Sequence, residues 1–395
     1  MPRPPRVRGG GWERLEEQNV QNLDCEVKND PQTPESGSAP ARVHGENPYT
    51  AAKRYGLRIG SFIDFSSNVN PLGPPSSALR AAKRSLPLTG RYPDPEMTDL
   101  RRAIARYYGI KPGHVICGCG SNDLIHLIPR IFRPKKTVVP VPTFTEYAVA
   151  AAGAGSEVVS TLLQEHDGFR VDPVEMSFAF HGADMAFLCN PNNPTGQLIP
   201  RQEMLEIMKF ACQQRLTLVV DEAFMDFSDA ESIVKEVVQV SRIICIRAFT
   251  KFFGMPGLRV GYAVSDEETV SFLRERQEPW PVNIPAEYAA IAAMDDWGYI
   301  RKTRRMVEKE RERLLSALRL LPGVETLPSA ANFILVKIEG RDTHELRDKL
   351  GYRGMLVRDC SSFEGLDSRY IRIAVRTKRE NVRLIKTLRE LLLKK

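Results

Sequence analysis

The 395-residue chain is 42% hydrophobic and 27% charged, the balance of an ordinary soluble globular protein long enough for two domains. No apolar run approaches the roughly 20 residues that span a bilayer, so a membrane protein is not expected. The net charge of +7 is dispersed among acids, as in Glu308-Lys309-Glu310-Arg311-Glu312-Arg313, which argues against nucleic acid and favours anionic small molecules.

Residues 1–43 are rich in Pro, Gly, Gln, Asn and Ser, with few apolar residues and no periodicity. Such a segment cannot bury enough surface to offset its ordering, and it reads as a flexible tail. Its arginines are mixed with Glu13, Glu16, Glu17 and Asp24, unlike a transit peptide, and no secretory apolar core is present. From 44 onward, strand-like and helix-like segments alternate. Asp94-Pro95 has the form of a helix start, an N-cap acid before a proline. Leu100, Ala103, Ile104, Tyr107 and Tyr108 then repeat on one helical face. Short apolar runs at 137–141, 185–189, 216–220 and 243–246 read as strands, with helical stretches such as 201–215 between them. This alternation predicts an α/β domain around a mainly parallel sheet.

The last third differs. A long amphipathic helix over about 297–321, strands at 333–338 and 370–375 and a basic helix at 378–394 predict a smaller α+β domain. The expected division is a tail at 1–43, a segment at 44–90 that joins the small domain, a large domain at 91–290 and a small domain at 291–395. The seven cysteines are odd in number, and Cys189 and Cys245 fall in apolar runs. That predicts reduced thiols in a cytoplasmic protein. Cys117-Gly118-Cys119 lacks zinc-site spacing and a nearby His pair, so no metal site is read there and both are expected as small buried residues.

Four segments carry candidate chemistry. Asn190-Pro191-Asn192-Asn193-Pro194-Thr195-Gly196 follows the run MAFLC; taken alone it is a turn. Asp221-Glu222-Ala223-Phe224 follows LTLVV, and a carboxylate at that strand end sits where open α/β sheets bind ligands. Burial raises its pKa unless a cation compensates. The Asp-Glu pair could instead hold a metal, as in a Walker-B strand, but the chain has no GxxxxGK[ST] loop. Lys251 follows the run IICI; a desolvated lysine becomes a nucleophilic amine near neutral pH, although alone it could be an exposed loop residue. Arg259 lies in Gly257-Leu258-Arg259-Val260-Gly261-Tyr262, and arginine grips phosphate in bidentate fashion. Gly118-Cys119-Gly120-Ser121-Asn122-Asp123, ahead of an apolar helix, could offer backbone N–H groups to the same anion.

In this order the segments resemble the fold-type I enzymes that use pyridoxal 5'-phosphate (PLP), and the resemblance covers about 44–395. It implies that Lys251 holds the cofactor as a Schiff base, Asp221 pairs with its pyridine nitrogen and Asn193 bonds the ring's O3'. Gly120, Ser121, Asn122, Thr250 and Arg259 would hold the phosphate, and Phe144 would stack on the ring. Tyr92 corresponds to a tyrosine that reaches the neighbouring subunit's phosphate, so a homodimer is implied. The joint presence of Lys251, Asp221, Asn193 and Arg259 argues against a non-catalytic module.

Two branches compete, the histidinol-phosphate aminotransferases and the threonine-phosphate decarboxylases. His44-Gly45, residues 65–73 (FSSNVNPLG), 279–283 (PWPVN), 358–366 (RDCSSFEGL) and 370–375 (YIRIAV) look more like the decarboxylases. The aminotransferases usually have Tyr at the position of Phe224, so the phenol that donates to O3' is missing here. The implied reaction is decarboxylation of L-threonine O-3-phosphate to (R)-1-amino-2-propanol O-2-phosphate and CO2, for cobalamin assembly. O-phosphoserine, one methyl smaller, is a variant substrate, and histidinol-phosphate-type amino transfer is the alternative. By resemblance Arg372 would take the substrate carboxylate and Arg358 the phosphate, with exchange of the two roles left open. His44, Asn68, Asn193 and Asn332 would complete the substrate contacts.

Overall fold

The computed structural model describes residues 46–228 and 232–393; the 1–43 tail, Cys25 and His44 lie outside them. In chain order the strands are β1 (Ile63–Asp64), β2 (Val115–Gly118), β3 (Lys136–Val141), β4 (Glu157–Leu162), β5 (Met185–Cys189), β6 (Thr217–Asp221), β7 (Ile243–Ala248), β8 (Gly261–Val264), β9 (Val324–Thr326), β10 (Phe333–Ile338), β11 (Met355–Leu356), β12 (Arg358–Asp359) and β13 (Tyr370–Ala374).

The first large sheet has the order β2-β8-β7-β6-β5-β3-β4. Its pairs from β4 through β7 are parallel, and β8 runs antiparallel to both its neighbours. β5, β6 and β7 are buried along their whole length, as strands covered on both faces must be. Helix Arg201–Gln213 connects β5 to β6 and buries Met204, Ile207, Met208 and Ala211, the spacing of one helical stripe. Register then sets Cys189 beside Asp221, and Asp221 beside Ile246. The chains leaving these three strand ends carry Asn193, Phe224 and Lys251 to one rim.

A four-stranded antiparallel sheet, β12-β13-β10-β9, comes from the last third. Arg358 and Arg372 are direct register partners in it. Two-residue β1 pairs parallel with β11, and the Ala374 N–H donates to the Phe65 carbonyl at 2.8 Å. The N-terminal segment therefore runs along the end of the small sheet before it enters the site.

Three local expectations change. Asp94 accepts from the N–H groups of Glu96 (3.0 Å) and Thr98 (2.9 Å), but the helix spans Thr98–Tyr108. Met97 at φ 49 breaks the backbone between them, so Asp94-Pro95 closes a turn ahead of the helix. β4 carries no long apolar run in the sequence because it is an edge strand with an exposed and half-exposed pattern. Cys119 and Cys212 are exposed, whereas Cys117, Cys189, Cys245 and Cys360 are buried, and all six are free thiols. Cys119 is exposed because it stands on the glycine turn beyond β2.

Behind the rim, Arg247 of β7 is 3% exposed. Its Nη1 lies 2.7 Å from Glu222 and its Nη2 2.5 Å from Asp226. The ion triad pins the loop that presents Phe224. Replacing Arg247 by Met leaves two buried carboxylates without a cation, and should lower the unfolding free energy by about 3–5 kcal/mol in urea denaturation.

Candidate active site

A cavity of about 380 Å³ opens at the rim. It brings together Asn68, Ser121, Asn122, Phe144, Asn193, Asp221, Thr250, Lys251, Arg259, Arg358 and Arg372, eleven of the residues singled out from the sequence. Gly120 is the N-cap of helix Ser121–Phe132. Asn332 stands behind the wall, its Nδ2 donating to the Asn68 carbonyl at 3.1 Å. Tyr92 is not in the cavity lining; it is 75% exposed and stacks on Trp280 with ring centroids 4.5 Å apart. His44 lies outside the described residues.

Lys251 and Asp221 meet inside this cavity. Burial pushes the Lys251 amine down to about 8, the Arg372 guanidinium adds to the shift, and the Asp221 carboxylate opposes it. Asp221 is 4% exposed, and burial raises its pKa against the pull of its hydrogen bonds. Oδ2 accepts from the Tyr147 hydroxyl at 2.8 Å and Oδ1 from the Ala223 N–H at 2.9 Å. Sequence reasoning assigned no role to Tyr147, although it stands three residues after Phe144 in PTFTEY. Its ring is fully buried, flat against Phe187 at 5.2 Å and edge-on to Phe144 at 5.5 Å. One tyrosine therefore supports both the carboxylate and the aromatic wall. Glu222, by contrast, accepts from the Ile233 N–H at 3.0 Å and from Arg247. The two neighbouring carboxylates are committed to different partners, which disfavours their chelating one ion.

An anion cradle forms the opposite wall. Gly120 has φ +82, and a Cβ there would come within 2.5 Å of Arg259 Nη2. Only glycine lets the guanidinium lie against the turn. A Cβ on Gly261 would likewise strike the Ser121 nitrogen at 2.4 Å. No side chain caps helix Ser121–Phe132, so its first N–H groups and partial positive charge face outward beside Arg259. Asn122 Oδ1 is buried without a partner. The helix N–H groups and the Arg259 guanidinium are donors that suit a phosphate, the Lys251 amine suits an aldehyde, and the buried Asp221 a protonated ring nitrogen. The donor set fits PLP.

The remaining wall is cationic. Arg358 is 5% exposed, with Nη2 donating to Ser362 Oγ at 2.8 Å and its guanidinium 5.2 Å from the Phe363 ring centroid. Arg372 is 6% exposed; it donates to Asn193 Oδ1 and, at 2.7 Å, to the Ser66 carbonyl. Both are lowered by burial, Arg372 to about 10. Phe224 packs edge-on to Phe333 at 5.0 Å, its ring centroid 5.9 Å from Lys251 Nζ.

Residues 61–388 match the family model described as Aminotransferase class I and II. The chain belongs to that family. A protein of Caldanaerobacter subterraneus subsp. tengcongensis with the provisional name threonine-phosphate decarboxylase is 40% identical, over 82% of this chain and 89% of its own length. Salmonella typhimurium threonine-phosphate decarboxylase is 35% identical over 89% of this chain and 96% of its own length. Archaeoglobus fulgidus histidinol-phosphate aminotransferase 2 is also 35% identical, over 83% and 93%. Among solved structures, L-threonine-O-3-phosphate decarboxylase from Porphyromonas gingivalis superimposes with a TM-score of 0.76 at 28% identity, over 84% of this chain and 100% of that one. Histidinol-phosphate aminotransferase from Sinorhizobium meliloti in complex with pyridoxal 5'-phosphate superimposes with a TM-score of 0.79 at 26% identity, over 88% of this chain and 95% of that one. The fold is that of the fold-type I aminotransferases, and the family is PLP-dependent.

Two outcomes follow for the protein stripped of cofactor. A lysine attacks an aldehyde only as the neutral amine, and Lys251 loses its proton near pH 8. Capture of PLP should therefore slow about tenfold for each pH step below that point and level off above it, measured as borohydride-fixed label. Tyr147→Phe keeps the stacked ring but takes a donor from the buried Asp221 carboxylate, a loss of about 1–3 kcal/mol. The expected result is PLP binding weakened about tenfold or more at equilibrium.

Proposed function

We propose that the chain decarboxylates L-threonine O-3-phosphate, giving (R)-1-amino-2-propanol O-2-phosphate and CO2 for cobalamin assembly. The observation that carries this reading is the pair of buried guanidiniums, Arg358 and Arg372, whose hydrogen-bond partners are neutral oxygens. Buried cations call for anions. L-Threonine O-3-phosphate brings a carboxylate and a phosphate on adjacent carbons, one for each guanidinium. Histidinol phosphate brings a phosphate alone and would leave one of them unmatched.

In this reading Lys251, Asp221, Asn193, Thr250, Arg259 and the turn Gly120-Ser121-Asn122 hold the cofactor, with Phe144 against its ring. When bound, PLP supplies the electron sink for the pair released at Cα. Arg372 orients the carboxylate that leaves, and Arg358 anchors the phosphate. Asn68 and Asn332 order the wall between them. Lys251 Nζ, brought down to about 8 by burial, is the group that would deliver to Cα the proton that replaces the lost CO2. Tyr147 and the Ala223 N–H stabilise the charged Asp221. A cytoplasmic homodimer belongs to the same reading; the cytoplasm is supported by the six free cysteines among the described residues, and the dimer by Tyr92, exposed and held outward on Trp280 as a tyrosine serving a neighbouring site would be.

Purified protein with PLP and O-phospho-L-threonine should release CO2 in step with substrate loss. O-phosphoserine should react more slowly, by about 10-fold or more for the missing methyl. Conversion of the cofactor to its aminated form with no CO2 would sink the decarboxylase reading in favour of amino transfer.

A further inference from the structure

Asn70 reads from the sequence as a turn residue, and its Oδ1 does accept from the Leu72 N–H at 3.0 Å. It is also 2% exposed and reaches well beyond the turn. Its backbone N–H donates to the Lys251 carbonyl at 3.0 Å, and its Nδ2 donates to the Phe252 carbonyl at 2.8 Å. One residue thus holds two successive carbonyls of the chain that carries Lys251. Nδ2 also lies 2.8 Å from Tyr299 Oη and 3.1 Å from Thr303 Oγ1. Two N–H groups cannot serve three acceptors at once, and the two shorter contacts are Phe252 and Tyr299. Tyr299 passes the connection on, its hydroxyl donating to the Gly73 carbonyl at 2.7 Å. Gly254 sits so near this segment that a Cβ on it would lie 2.9 Å from the Gly73 carbonyl carbon.

The other end of the same segment belongs to the substrate wall. Asn68 lines the cavity, its carbonyl accepts from Asn332, and the Ser66 carbonyl accepts from Arg372 at 2.7 Å. Residues 66–73 therefore run as one hydrogen-bonded strap from Arg372 to the backbone of Lys251. Buried bonds of this kind have no water to replace them when broken.

We infer that Asn70 is a positioning residue, which fixes the backbone of Lys251 in register with the substrate wall. The inference rests on Lys251 being the lysine that takes the cofactor. A lysine side chain is long and flexible, so the place its amine reaches depends on where its Cα is held.

The test is the rate at which apoprotein captures PLP, read as borohydride-fixed label on Lys251, beside the thermal unfolding midpoint. Asn70→Ala should capture about a hundredfold more slowly, the scale of a misplacement near 1 Å. Asn70→Asp can still accept from Leu72 and from the Tyr299 and Thr303 hydroxyls but cannot donate to the Phe252 carbonyl; it should slow capture as well. Tyr299→Phe, which keeps the ring and removes the bond to Gly73, serves if neither Asn70 variant folds, with a smaller slowing expected. A merely structural Asn70 would lower the midpoint and leave the rate of the folded protein alone. Unchanged capture by folded Asn70→Asp or Tyr299→Phe protein overturns the inference by itself. Label on a different lysine in the unaltered protein overturns the reading of Lys251, and the inference with it.

Discussion

The site depends on a lysine amine and a carboxylate taken out of water together at the ends of adjacent parallel strands. Neither is fully satisfied by the other. Burial and the Arg372 charge outweigh Asp221 at Lys251, which brings the amine down to about 8. At Asp221, burial outweighs the hydrogen bonds from Tyr147 and Ala223. A sheet that buried these groups only to stabilise itself would have paired them fully or replaced them with apolar side chains. On the proposed reading, leaving both partly unmatched at the rim where β6 and β7 end prepares them for a ligand with an aldehyde and a basic ring nitrogen.

The buried arginines separate by the same logic. Arg247 contacts two carboxylates, Glu222 and Asp226, so its charge is balanced within the fold and its work is to hold the loop under Phe224. Arg358 and Arg372 are equally hidden, yet among the described residues they bond only to a hydroxyl, an amide oxygen and a backbone carbonyl. On the proposed reading, similar burial with different partners distinguishes a guanidinium that serves the scaffold from two that await anions. The exposed ion pairs elsewhere, such as Arg130 with Glu278, are screened by water and decide little.

How far the sequence could be read follows from the range of each interaction. β5, β6 and β7 were legible because strands covered on both faces leave continuous apolar runs, and the motifs after them sit at fixed distances along the chain. β4 was not, because an edge strand mixes exposed and half-exposed positions. Asp94 was recognisable as a cap, but whether a turn or a helix followed it depended on the backbone of Met97. Tyr147 was hidden for a different reason: its partner Asp221 is 74 residues away, and nothing local marks a tyrosine as the donor to a distant carboxylate. Asn70 was visible as a turn former, while its hold on Lys251 spans the fold and needs the packing of three separated segments.

The bond from Arg372 to Asn193 Oδ1 ties the two halves of the cavity together. An amide has one acceptor and one donor end. With its oxygen taken by the guanidinium, Asn193 has its NH2 left for another partner. Phe224, which also lines the cavity, offers no hydroxyl, so the orientation of this one amide matters more than it would beside a tyrosine. On the proposed reading, Arg372 then has two tasks that cannot be separated by simple truncation. It receives the substrate carboxylate, and it sets which end of Asn193 faces the cofactor. Lysine at position 372 would keep the charge but not the planar fork that reaches Asn193 and the Ser66 carbonyl together, so the geometry of arginine, and not only its charge, is what the site requires.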